Sequence, residues 1–163
     1  EGKMQYIGKI LMIMSLVVAC GASGGSGGGG ASIADSFVGS YVGSANVTRR
    51  SAIPPSAPST QREPAYGMRV SSDGRALLFA VDTGCTLRAT IEWYPQFFPD
   101  QSCMPRELMR NATLTLTQGQ VERVEGAGPG DPGALAVTLR FRYQRTDHED
   151  NGTFAWEYTG MRR

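Results

Sequence analysis

From Ile33 onward the chain alternates apolar and polar residues with period two, and this restricts it to β-structure. The clearest run places Leu135, Val137, Leu139, Phe141 and Tyr143 on one face, against Ala136, Thr138, Arg140, Arg142 and Gln144. A strand of this kind buries one face and leaves the other in water. The same spacing predicts a first strand with Phe37, Gly39, Tyr41, Gly43, Ala45 and Val47 on its apolar face. A second runs through Tyr66, Met68 and Val70, and a third over Arg75–Val81 after the Ser72-Asp73-Gly74 hairpin. Leu87, Ala89, Ile91 and Trp93 mark a fourth. Ala112, Leu114 and Leu116 begin another, and Gln118-Gly119 reads as a turn into a short strand through Val121 and Val124. Phe154, Trp156 and Tyr158 form the inner face of the last. Residues 50–64, 94–110 and 126–133 are rich in Pro, Gly or Ser and read as loops.

The sum is an all-β domain of about eight antiparallel strands, with no long amphipathic helix. Closure into an up-and-down barrel removes the exposed edges, and a β-sandwich is the alternative. The first strand reads Phe37-x-x-x-Tyr41-x-Gly43 and the last Phe154-x-x-x-Tyr158-x-Gly160. In a closed barrel these strands are neighbours, with their aromatics in cross-strand pairs. The F-x-G-x-Y-x-G opening resembles the first strand of small lipocalin-like barrels, which implies that fold.

The first residues differ in kind. Lys3 and Lys9 precede the apolar run Ile10–Ala19, and translation is expected to begin at Met4. Ten apolar residues are too few to span a bilayer, which takes roughly 20. They suit the core of a signal peptide. The run ends in Val17-Val18-Ala19-Cys20-Gly21, which resembles the lipobox of bacterial lipoproteins. The resemblance implies cleavage before Cys20 and acylation of its sulfur and new amine. Gly21, in place of an inner-membrane retention Asp, implies the outer membrane. The expected organisation is a signal peptide over 1–19, a lipidated cysteine and Gly/Ser tether over 20–32 and a β-barrel over 33–163. An ordinary signal peptide with a chance cysteine is the alternative.

Both lysines and Glu1 fall in the first twenty residues, so the sixteen basic and fifteen acidic residues leave the remainder balanced. No surplus of positive charge is present to attract nucleic acid. With Cys20 committed to lipid, Cys85 and Cys103 remain as an even pair in an exported domain. They read as a disulfide, with two free thiols or pairing to another chain as alternatives.

Four strings invite chemistry. Ala80-Val81-Asp82-Thr83-Gly84 resembles the aspartic-protease signature, in which Asp82 would activate water with a second copy's aspartate. Asp-Thr-Gly is equally the chemistry of a hairpin turn, and Cys85 replaces the small residue that family carries next. Gly128–Gly133 matches GxGxxG, but Pro129 and Pro132 lack the amide hydrogens a pyrophosphate needs and a strand follows. His148, the one histidine, lies among Asp147, Glu149 and Asp150 with no metal-ligand spacing, and reads as part of a solvated acidic turn. No metal or cofactor is expected.

The remaining string, Trp93-Tyr94-Pro95-Gln96-Phe97-Phe98-Pro99, lies within the expected disulfide ring. It is either a plug that completes the core or a contact surface formed by Trp93, Tyr94, Phe97 and Phe98. The expectation is thus a non-catalytic envelope lipoprotein that binds an envelope protein or an apolar small ligand. The alternatives are a hydrolase using Asp82 and a structural surface protein without a ligand.

Overall fold

Alternation, turns and an even cysteine pair produce a single eight-stranded antiparallel sheet, rolled into a nearly closed lipocalin-like barrel. The computed structural model describes residues 33–53, 55–91, 93–124 and 133–163. Cys20, the 20–32 tether and all but the last residue of the Gly128–Gly133 string lie outside them. A short helix α1 (Ile33–Phe37) leads into β1 (Gly39–Ser51), β2 (Ser59–Ser72), β3 (Leu77–Asp82) and β4 (Cys85–Ala89). There follow β5 (Ser102–Cys103), β6 (Ala112–Val124), β7 (Ala134–Arg145) and β8 (Asn151–Arg162). Their order in the sheet is β4-β3-β2-β1-β8-β7-β6-β5.

The strand number agrees with the sequence reading, but the membership differs. Gln118-Gly119 is no turn: β6 runs straight through it on a bulge, with Thr117 as the extra residue between the Leu116–Phe141 and Gln118–Arg140 pairs. The Thr117 hydroxyl donates to the Arg140 carbonyl at 2.9 Å and ties the bulge down. Two expected strands therefore merge, and the two-residue β5 restores the count. Phe37 ends a helix and begins no strand, because Tyr41 Oη donates to the Phe37 carbonyl at 2.8 Å and holds it coiled. Residues 50–64 are mostly strand, since β1 and β2 extend to Ser51 and from Ser59. Pro64 is accommodated where the register shifts between Gly43–Tyr66 and Ala45–Glu63, a bulge that needs no N–H from it.

The repeated aromatic-glycine motif does place β1 beside β8. Antiparallel pairing reverses one copy, however, so the glycines meet and the aromatics do not. Gly43 stands opposite Gly160, and Tyr41 opposite Arg162. A Cβ on Gly43 would lie 1.9 Å from the Thr159 carbonyl oxygen, so the close approach of the two strands demands glycine.

The interior is filled by side chains. Trp156 and Phe79 are fully buried and Phe141 nearly so. Trp156 stacks on Tyr158 with ring centroids 5.3 Å apart, and Tyr66 meets both edge-on. Phe141 packs against Phe154 at 6.0 Å. An apolar ligand therefore has the outer surface of this barrel to bind, since its interior is core.

The sheet ends in two edges, β4 and β5, which a disulfide between Cys85 and Cys103 joins. Gln101 bridges them as well. Its carbonyl accepts the Leu116 N–H of β6 at 2.8 Å, while its side-chain amide accepts the Arg88 N–H of β4 at 2.7 Å and donates to the Arg88 carbonyl at 2.8 Å. One side chain so supplies the two hydrogen bonds a strand residue would supply. The cysteines are 18 residues apart, so Cys85→Ser with Cys103→Ser should cost about 3 kcal/mol of unfolding free energy on the chain-entropy account. Urea unfolding of the double variant measures this, and an unchanged midpoint would show that Gln101 closes the seam alone.

Candidate interaction surface

Strand β4 stops at Ala89, short of the expected Ile91 and Trp93, because the chain folds back on itself. The Thr90 N–H donates to the Gln96 carbonyl at 2.8 Å, and the Phe98 N–H to the Arg88 carbonyl at 3.1 Å. Alternation would have sent Trp93 inward; after the turn it is 83% exposed. Residues 90, 91 and 93–101 thus lie along the open seam, where prolines 95, 99 and 105 prevent a longer β5.

The four aromatic candidates separate into two groups. Phe97 is the plug: it bridges to Ala89, packs on Phe79 at 5.0 Å and lies over Gly119 of β6. Pro95 is buried beside it in the sequence. Trp93, Tyr94 and Phe98 are the surface, at 83%, 73% and 41% exposure. Phe97 thus takes the plug position, while Trp93, Tyr94 and Phe98 face solvent. Gln101 Nε2 also donates to the Phe98 carbonyl at 2.8 Å, so the bridging side chain fixes the base of the display.

Asp82, in the β3–β4 turn, and His148, in the β7–β8 hairpin, both lie outside the aromatic loop. Asp82 pairs with the disulfide-bonded Cys85 across the β3–β4 turn, where Gly84 has a φ of 85°. Its Oδ2 accepts the N–H groups of Glu107 at 3.1 Å and Leu108 at 2.7 Å. That carboxylate oxygen therefore pins the 104–111 segment to the barrel. A groove of about 790 Å³ lies against this turn, lined in part by Thr83, Gly84, Pro105 and Arg106.

His148 is exposed in the β7–β8 hairpin, with Nδ1 2.8 Å from Asp147 Oδ1. The turn is not uniformly solvated. Asp150 is buried, and its oxygens accept from Ser51 Oγ at 2.7 Å, Tyr143 Oη at 2.8 Å and the Arg49 guanidinium. Arg49 also lies over the Tyr143 ring, 5.0 Å from its centroid. Asp147 is held by a two-pronged Arg145 contact, which keeps its carboxyl far below the usual range. These oxygens are engaged within the fold, and among the described residues no group of three or more His, Cys, Asp or Glu is arranged to hold a metal.

Two outcomes test this description. A Cβ on Gly119 would lie 2.3 Å from Phe97 Cδ2, so Gly119→Ala should destabilise by about 1–3 kcal/mol, the usual range for overpacking. Adding Phe97→Ala should then cost far less than it does alone; strict additivity in this cycle would deny the contact. For Asp150, burial raises the carboxyl, but hydrogen bonds from Ser51 and Tyr143 and the charge of Arg49 outweigh it and lower the pKa. Its stabilisation is therefore full above the unfolded carboxylate range and is lost as pH falls through the lower folded value. Asp150→Asn should be about 1–3 kcal/mol less stable at neutral pH, where a buried partner is left wanting. The gap should narrow below about pH 4, the unfolded carboxylate range. Unfolding curves at neutral and acid pH decide it, and a pH-independent gap would refute the network.

No protein-family model, curated protein or solved structure matches the chain, so its reading rests on its own residues.

Proposed function

We propose that the chain is a cell-envelope lipoprotein, held at the outer membrane by lipid on Cys20, whose barrel is a non-catalytic binding module. The observation that carries the binding role is the pair Trp93 and Tyr94, held largely in solvent on a loop fixed by a disulfide, a bridging amide and the half-buried Phe97. Leaving large aromatics in water forgoes their burial energy, and a loop fixed in place loses little entropy when it docks. Such residues serve an apolar contact, on a protein or a small molecule. The anchor rests on the Val17–Gly21 string and the apolar run before it. Acyl chains contribute about 0.8 kcal/mol per buried CH₂, so two or three hold a protein at the membrane for good.

The test of the anchor is a fractionation. Cys20→Ser should move the protein out of the acylated pool and abolish incorporation of labelled fatty acid, and retention of label by the variant would disprove acylation at Cys20. Trp93→Ala with Tyr94→Ala should leave folding intact, because neither side chain is part of the core.

A further inference from the structure

We infer that the barrel end carrying the aromatic loop docks on the bilayer to which Cys20 is attached. This rests on the lipoprotein reading above and names the apolar contact of that same loop.

Strand topology brings the tether and the loop to one end. Gly39 pairs with Val70, Val70 with Phe79 and Phe79 with Leu87, so these four residues form one level row across β1 to β4. Because neighbours are antiparallel, β1 starts where β4 finishes. The chain enters the domain through α1 just before Gly39, and the loop leaves β4 two residues past Leu87. Three strand spacings separate them, about 15 Å around the wall. On composition alone, a Gly/Ser-rich stretch as long as that between Cys20 and Ile33 is expected to span about 20 Å. An acylated Cys20 therefore keeps this end within reach of the membrane.

Exposed apolar side chains gather at the same end. Among the described residues, eight large hydrophobics are exposed. Ile33 on α1, Trp93, Tyr94 and Phe98 on the loop, Val124 at the end of β6 and Met161 near the end of β8 all stand here. Val124 and Met161 both pair with Ala134, in a row that meets β1 at Val42, three residues along the strand from Gly39. The other two, Ile53 after β1 and Met104 after β5, stand away from this rim.

The chemistry suits a lipid interface better than a protein. Trp and Tyr prefer the headgroup boundary, with the ring body in the apolar layer and the polar edge in water. Arg123 and Arg162 adjoin Val124 and Met161 in the sequence, where long side chains reach headgroup phosphates. A protein hot spot is a compact, pocketed patch. Here the six residues lie toward the tether end, and none of them lines the groove beside the β3–β4 turn.

Tryptophan fluorescence tests the docking directly, because Trp93 is exposed and Trp156, the one other tryptophan, is fully buried. The full acylated protein is reconstituted into vesicles of phosphatidylethanolamine and phosphatidylglycerol, with or without bromine on the acyl chains. The Trp156 signal is taken from Trp93→Ala and subtracted. Bromine should quench Trp93 emission several-fold and leave Trp156 unchanged. Tyr94→Asp with Met161→Asp, both on the surface, should restore the Trp93 signal. Equal Trp93 emission on brominated and plain vesicles, from protein whose mass shows acylated Cys20, overturns the docking and leaves the anchor standing. A mass without acyl chains overturns the anchor, and the docking falls with it. A loop that stays wet on vesicles but crosslinks to an envelope protein in cells overturns docking in favour of a protein partner.

Discussion

A sheet of eight strands in this chain has two free edges, and every other feature depends on how they are joined. Three prolines between β4 and β6 leave room for a strand of only two residues, too short to close the ladder by backbone bonds alone. Gln101 meets the deficit. Its backbone belongs to the β6 side and its amide to the β4 side, so it satisfies an N–H and a carbonyl of Arg88 that would otherwise form an open edge. The disulfide holds the two edges in register one turn away, with Cα atoms 4.9 Å apart. Arg88 is oriented in turn by its ion pair with Asp73, whose other carboxylate oxygen accepts two N–H groups in the β2–β3 turn.

This manner of closure explains why the loop divides its aromatics as it does. A seam without a full strand leaves a gap in the wall, and Phe97 fills it from outside the ladder by packing on Phe79 over Gly119. Once Phe97 and Gln101 are fixed, the residues between them and Thr90 are confined to a tight excursion. A short excursion has no interior of its own, so Trp93, Tyr94 and Phe98 face water. Their exposure follows from the local geometry, and it therefore persists in the free protein. The loop is presented ready-formed to whatever it meets.

Much of this was legible in the residues. Inner faces followed from parity: Leu135, Val137, Leu139, Phe141 and Tyr143 are all buried as alternation requires. The disulfide followed from cysteine number. What parity cannot supply is the place where a strand ends. Trp93 has the parity of Leu87 and Ala89, yet the hydrogen bond from Thr90 to Gln96 turns the chain before parity applies. Gln118-Gly119 carries turn chemistry, but a bulge uses the same residues and keeps the strand going. Gln101 left no mark, since an amide that imitates a backbone looks like any polar loop residue. The Asp150 network did leave one. Arg49 shares parity with Tyr41, Ala45 and Val47, and an arginine on an inner face calls for an acid nearby.

The two ends of the barrel differ in kind, and the difference bears on what an anchor contributes. One end closes with Asp150, Arg49, Tyr143 and Asp147 in a polar network, and the other with an apolar rim. On the lipoprotein reading proposed above, acyl chains on Cys20 would suffice for attachment, and the rim would not be needed to keep the protein at the membrane. A tether of the proposed kind would fix distance and leave orientation free. Within its reach the effective concentration of the bilayer is high, so even a weak contact by Trp93 and Tyr94 is populated. The rim would thus set which end faces the lipid, and the end that carries the Asp150 network would point away, toward whatever the envelope offers. On this proposal anchor and rim would divide the work, the first supplying affinity and the second direction.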